Sequence, residues 1–302
     1  MQVLWDFGIS GIGSSEKGEK MKTVVITGAT SGIGLAVATK LVKKGYFVIG
    51  VGHSIENCDK AKKLIKSESP NGKIKFFVAD LMQQREVNRL ADVLESYISG
   101  NCGGELFGLI NNAGAVRSWY TTTEEGYEQQ FALNHLAGFL LTYRLLPCLK
   151  KANGRVIMTG SNSHKGIKMH WNDVMFKKGY NPLTAYKQSK LCNILFAHGI
   201  NDRLLNGGVH AYTVDPGLVN TDIGNKQTGG LVNYIWSLRK KHGVNPEIPA
   251  ETYVYLCEKE DAPEGLYYYL CKKQSYSRQV TEKNARRLFD LSEKLCGIKY
   301  AV

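Results

Sequence analysis

The chain has 302 residues, 43% hydrophobic and 22% charged, which suits a soluble globular protein with a large buried core. Its formal charge of +12 raises nucleic acid as a partner, but Lys and Arg are spread over the whole length with only short clusters such as 239–242. We therefore expect no nucleic-acid partner but a solvated basic surface that attracts a phosphate-rich ligand; no stretch approaches the ~20 apolar residues of a membrane span, and seven scattered cysteines without a Cys-x-x-Cys pair argue against a disulfide framework or a metal site.

Residues 1–20 lack a basic start and a continuous apolar stretch, so they do not read as a secretory signal. They are Gly/Ser-rich and precede Met21, and are expected to form a disordered or loosely packed leader. From Thr23 onward, short apolar runs alternate with helical patterns. Strands are predicted at Thr23–Thr27, Phe47–Val51, Ile74–Val78, Leu106–Ile110, Val156–Thr159, Val209–Val214 and Gly265–Leu270. Helices are predicted at Ile33–Lys44, Cys58–Ser67, Gln83–Ser99, Gly126–Leu149 and Leu183–Leu205. Continuous β-branched and aromatic runs mark strands covered on both faces. The expectation is an α/β domain over 21–302: one doubly wound parallel sheet (Rossmann) of about seven strands, helices on both faces. The rhythm breaks at 220–249, read as a helical insertion whose run from Leu231 to Trp236 would roof a substrate pocket.

Between the first strand and its helix lies Thr27-Gly-Ala-Thr-Ser-Gly-Ile-Gly34, with glycines at 28, 32 and 34. Such a loop gives a tight turn, close backbone approach to a pyrophosphate, and free helix N–H groups for an anion. Thr30, Ser31 and Ile33 share it. Far downstream, Tyr186 and Lys190 stand one helical turn apart. A phenol near its ordinary pKa of about 10 is a poor acid at neutral pH, and a cation on the same helix face favours the phenolate. Together the two features describe a nicotinamide dinucleotide laid beside a tuned general acid/base.

The glycine loop, Asn111-Asn-Ala-Gly114, Asn134, Ser161, Tyr186-x-x-x-Lys190 and Pro216-Gly217 resemble, in order and spacing, the motifs of the short-chain dehydrogenase/reductase family. Residues 185–196 and 250–297 look like its retinol dehydrogenase-like group. The resemblance covers residues 21–298. It implies that Tyr186 protonates or deprotonates the substrate oxygen, and that Lys190 holds the nicotinamide ribose. It further implies that Ser161 binds the substrate oxygen and that Asn134 supports a water relay to Lys190. Ser163 is the alternative serine; Ser161 is preferred for its spacing to His164. The resemblance also implies cofactor contacts from Gly28, Gly32, Gly34, Asp80, Leu81, Asn112, Ala113, Gly114, Pro216, Gly217, Val219 and Thr221. Asp80 would alternatively cap the next helix. The segment from His170 to Phe176 either borders the substrate or packs on the helix of Tyr186.

At the second strand end, Gly52 stands where relatives that prefer NAD usually carry Asp, and His53 where those that prefer NADP often carry Arg. Missing repulsion favours NADP(H), with NAD(H) left open. The reading is an oxidoreductase acting on an alcohol or carbonyl, lipophilic and retinoid- or steroid-like. A non-catalytic dinucleotide-binding sensor or scaffold is the alternative, and epimerisation or double-bond reduction would use the same fold. A cytoplasmic protein is expected. The resemblance implies a homodimer or homotetramer through the two long helices; a monomer would follow if the C-terminal extension covers them.

Overall fold

The computed structural model describes residues 21–204, 207–220 and 243–300. The leader at 1–20, the run from Leu231 to Trp236 and Thr221 lie outside the described residues.

Five βα steps open the chain. Strands β1 (Thr23–Thr27), β2 (Phe47–Gly52), β3 (Ile74–Val78), β4 (Gly108–Asn111) and β5 (Arg155–Thr159) are each followed by helical chain. The helices are α1 (Gly32–Lys43), α2 (Ile55–Glu68), α3 (Gln84–Asn101), and a compound element made of α4 (Gln129–Phe131), a π-helical turn (Ala132–Leu136) and α5 (Ala137–Lys151). After β5 come α6 (Pro182–Leu204), β6 (His210–Val214), α7 (Glu247–Glu258), β7 (Tyr267–Tyr269), β8 (Lys272–Lys273) and α8 (Glu282–Cys296). The sheet order is β3-β2-β1-β4-β5-β6-β7-β8. Seven strands run parallel, as predicted, and β8 adds an unpredicted antiparallel edge. Two residues are too few to show an alternating or apolar run, so β8 leaves no sequence signal.

The strands are apolar on both faces because both are covered. On one side, Val24, Ile26, Val48 and Ile157 meet α1 and α7. On the other, Val25, Ile49, Leu109 and Met158 meet α3, α5, α6 and α8. The predicted helix over Gly126–Leu149 starts later and is not regular. Gly126 has φ +81° in a turn closed by a Thr122–Glu128 bridge. Buried Glu128 then accepts N–H bonds from Gln130 and Phe131 to start the helix. Helix α6 is buried almost all round, because α8 lies across its outer face. Phe289 of α8 packs 5.0 Å from Phe139 and 5.7 Å from Phe196. Its contact ring fits against Gly199, where a Cβ would fall 2.7 Å from Phe289. His135 Nε2 bonds Ser292 Oγ at 2.8 Å, and the Tyr300 hydroxyl donates to Phe139 O at 2.7 Å. The seven cysteines are free thiols.

The carboxyl ends of β1, β4, β5 and β6 open onto one cleft of about 670 Å³. In a doubly wound sheet this is where the strand order reverses and a ligand fits.

Candidate active site

The glycine loop forms one wall. Gly28 and Gly32 have φ of +67° and +54°, which L-side chains rarely adopt. Gly34 is glycine for a different reason: a Cβ there would fall 2.2 Å from the Gly28 carbonyl oxygen. Ser31 precedes α1 in extended conformation and makes no side-chain cap, so the first-turn N–H groups stay available to an anion. The end of β4 is sewn to this loop. Asn112 Nδ2 donates to Thr27 O at 3.1 Å, and the amides of Asn112 and Ala113 donate to Thr27 Oγ1 at 3.0 Å. Ile33, Asn112, Pro216, Gly217 and Val219 share the cleft lining.

The ends of β2 and β3 meet beyond the loop. His53 Nδ1 lies 4.0 Å from Asp80 Oδ1, which accepts the Met82 amide at 3.1 Å. Asp80 does not cap the next helix, whose N-cap is Gln83; its carboxylate closes a local turn onto Met82 instead. Leu81 lines a small cavity with Thr27 and Ala113. Neither His53 nor Asp80 lines the main cleft. Position 52 is sterically closed, since a Cβ would lie 2.4 Å from Cys58 Sγ and 2.6 Å from Thr30 Cγ2.

Three of the four predicted catalytic residues, Ser161, Tyr186 and Lys190, line the cleft together. Lys190 is 2% exposed, and its Nζ sits 5.5 Å from the Tyr186 ring centroid. It donates to Thr159 O at 3.0 Å, a carbonyl that also accepts from Asn193 Nδ2 at 3.0 Å. Burial pulls the Lys190 ammonium down to about 8, while the carboxylate of Asp215 pulls it back up. Ser161 begins a 3₁₀ turn and accepts bonds from the Ser163 amide at 3.3 Å and the Ser163 hydroxyl at 3.0 Å. Both bonds use its oxygen as acceptor, which leaves its own proton for a ligand. The two candidate serines therefore reach the cleft as a pair.

Asn134 differs from expectation. It sits in the π-helical turn and outside the cleft lining. Its Oδ1 accepts the Ala115 amide at 2.8 Å, and its Nδ2 donates to Ala115 O and Ser189 Oγ, both at 3.0 Å. Both Nδ2 protons are thus used away from Lys190, while Oδ1 keeps a second lone pair. Gly114 fills the gap between them: a Cβ there would lie 3.1 Å from Asn134 Oδ1 and 3.8 Å from Lys190 Nζ.

Several neighbours were not anticipated. Asp215, 7% exposed, lines the cleft and accepts from the Tyr267 hydroxyl at 2.7 Å and the Gly217 amide at 2.9 Å. A carboxylate at a strand end beside Pro216-Gly217 was a readable signal. Tyr253 of α7 bonds Thr159 Oγ1 at 2.8 Å behind the site, and no local motif marks it. His164 is buried and holds one tautomer. Its Nε2 accepts the Ser277 amide at 3.1 Å, so the 2.6 Å bond to Ser161 O carries the Nδ1 proton. The His170–Phe176 segment packs on α6: His170 N donates to Gln188 Oε1 at 2.8 Å, and Gln188 Nε2 to Val174 O at 2.7 Å.

Known proteins share this arrangement. A family model described as short chain dehydrogenase matches residues 22–230. Retinol dehydrogenase 13 of Homo sapiens is 32% identical over 98% of this chain and 91% of its own length. Retinol dehydrogenase 12 of Mus musculus is 33% identical over 92% and 87%. An uncharacterised protein from Mycobacterium Paratuberculosis superposes with a TM-score of 0.72 at 26% identity, covering 93% of this chain and 95% of that one. A short-chain dehydrogenase from Sphingobium yanoikuyae in complex with NADPH gives 0.64 at 20% identity, covering 93% and 98%. The protein is therefore an oxidoreductase acting on CH–OH groups and belongs to the short-chain dehydrogenase family.

Proposed function

We propose that the protein interconverts a lipophilic alcohol and its carbonyl with NADP(H), Tyr186 serving as general acid/base. The observation that carries this reading is the convergence of Tyr186, Lys190 and Ser161 on one cleft with the glycine loop. The names of the retinol dehydrogenases among its relatives support a lipophilic substrate.

The residues present fit a dinucleotide, because Gly28 turns the loop at positive φ, Gly34 seats against the Gly28 carbonyl where no Cβ fits, and the first turn of α1 has free N–H groups. Bound there, the nicotinamide supplies or accepts the hydride. Tyr186 transfers the proton to or from the substrate oxygen. Ser161 donates its free proton to that same oxygen and so orients it. Lys190, charged below about pH 8, favours the Tyr186 phenolate and attracts the ribose hydroxyls. Gly52 supports NADP(H): no carboxylate repels a 2′-phosphate, and Thr30 and Cys58 crowd any side chain that would carry one.

Cofactor-absorbance assays on lipophilic ketones and alcohols test the proposal. Tyr186→Phe should lose about 10²–10⁴-fold in kcat while cofactor affinity is kept. Turnover by Tyr186→Phe at the wild-type rate would overturn the assigned role. A clear preference for NADH would overturn the cofactor choice, and cofactor binding without any turnover would favour the sensor reading.

A further inference from the structure

The fold concentrates charge that the sequence scatters. Segments 162–187 and 272–287 hold eleven Lys and Arg against Asp173 and Glu282, a net +9 within a chain of net +12. The two segments meet. His164 bonds the Ser277 amide, and Arg287 stacks 4.4 Å over the Trp171 ring. Each also contributes to the wall of the catalytic cleft, through Lys165 and Gln274. Part of the basic surface elsewhere is neutralised locally, as where Lys40, Lys43 and Lys44 pair with glutamates. Here, among the described residues, Arg286 alone forms an ion pair, with Glu282. Asp173 is occupied by the backbone amides of Lys177 and Lys178.

Apolar side chains emerge on the same side. The β7–β8 hairpin turns through Leu270 and Cys271, both at positive φ, and presents Leu270 46% exposed at its tip. Tyr269, Tyr276 and the cleft-lining Leu218 are 38%, 40% and 48% exposed. Lys272 and Lys273 follow the tip on β8. Lysines on an edge strand discourage sheet pairing, which accounts for those two but not for the charge excess across 162–187.

We propose that this face docks on an anionic lipid bilayer, with the cleft mouth turned toward the headgroups and Leu270 seated among them. The charge complementarity selects an anionic surface, and the exposed apolar tip, Tyr269 before it and lysines after it, selects a lipid interface over a purely polar polyanion. The proposal stands on charge and exposure, and its readout is binding, so it survives or fails apart from the substrate assignment.

Sedimentation of the full chain with vesicles tests it. The protein should pellet with phosphatidylcholine vesicles containing phosphatidylserine, stay in solution with phosphatidylcholine alone, and be released as salt approaches about 1 M. Lys168→Glu with Lys272→Glu and Arg278→Glu should weaken partitioning by about 100-fold or more, taking each basic residue near the surface as worth roughly 1 kcal/mol. Turnover of a water-soluble carbonyl should be unchanged in that variant. Leu270→Ser, which changes no charge, should weaken binding about tenfold, as losing a buried leucine's ~1.5 kcal/mol would do. Failure of the wild-type chain to bind phosphatidylserine vesicles overturns the proposal, whatever the folding of the variants. So does equal binding to neutral vesicles, or tighter retention on polyuridylate RNA or polyglutamate than on anionic vesicles at equal salt.

Discussion

Lys190 is a cation held where water scarcely reaches, and the cost of keeping it there can be measured. Its depressed pKa of about 8 means that the unfolded chain binds more protons than the folded one between there and the ordinary 10.5. The site therefore lowers stability at neutral pH, and this penalty is relieved as pH rises through that window. Lys190→Met should stabilise the fold near neutrality by about 1–3 kcal/mol in urea unfolding while abolishing turnover. Asp215 is the opposing carboxylate. With Asp215→Asn, the alkaline limb of the kcat/KM profile should move to lower pH, because a raising influence on Lys190 has been removed. An unmoved limb would show that the two groups do not communicate.

The phosphate loop tests the packing argument at the level of strand and helix. Gly34→Ala would drive a methyl into the Gly28 carbonyl on one side and the Asn112 side-chain amide on the other, the amide itself tied to Thr27. Cofactor affinity should fall at least tenfold, with stability down by about 1–3 kcal/mol; titration by cofactor fluorescence and thermal melting would check both. This loop was readable because its glycines carry information in their spacing. The strands were readable too. Thr23–Thr27 and Ile74–Val78 match to the residue, since continuous apolar runs between turns leave little choice of register. Asn134 was found by motif, yet its π-helical setting was not, because inserting one residue into a helix barely alters an apolar pattern. Tyr253, behind the site, is joined to it only by the tertiary fold and carries no local signature, whereas Asn193 stands one helical turn after Lys190 on the same helix.

Across the whole molecule, the C-terminal helix covers the outer faces of α5 and α6. Helices α5 and α6, through which the family resemblance implied a subunit contact, are packed on by Phe289 and Tyr300 of the same chain. Phe289→Ala should cost about 3–5 kcal/mol and increase self-association in analytical ultracentrifugation, as the uncovered apolar face seeks another cover. A chain that melts as before would mean that α8 is only loosely applied. A long helix at α6 was visible in the sequence from the start. What it could not reveal was whether the covering surface comes from the same molecule or another.

Two imidazoles fasten that C-terminal portion to the body, His135 through Ser292 and His164 through Ser277. Burial drives His135 down to about 3, and burial, abetted by Lys165 and opposed by Asp215, also lowers His164. The folded state thus keeps both rings neutral while the unfolded chain takes up protons below about 6.5. Their contribution is intact above that value and drains away as acidity increases. A protonated His164 would confront the Ser277 amide donor to donor. Mild acid should therefore loosen the last forty residues before the nucleotide-binding half yields, and hydrogen exchange mapped by mass spectrometry at descending pH would catch the protein with its rear latch undone.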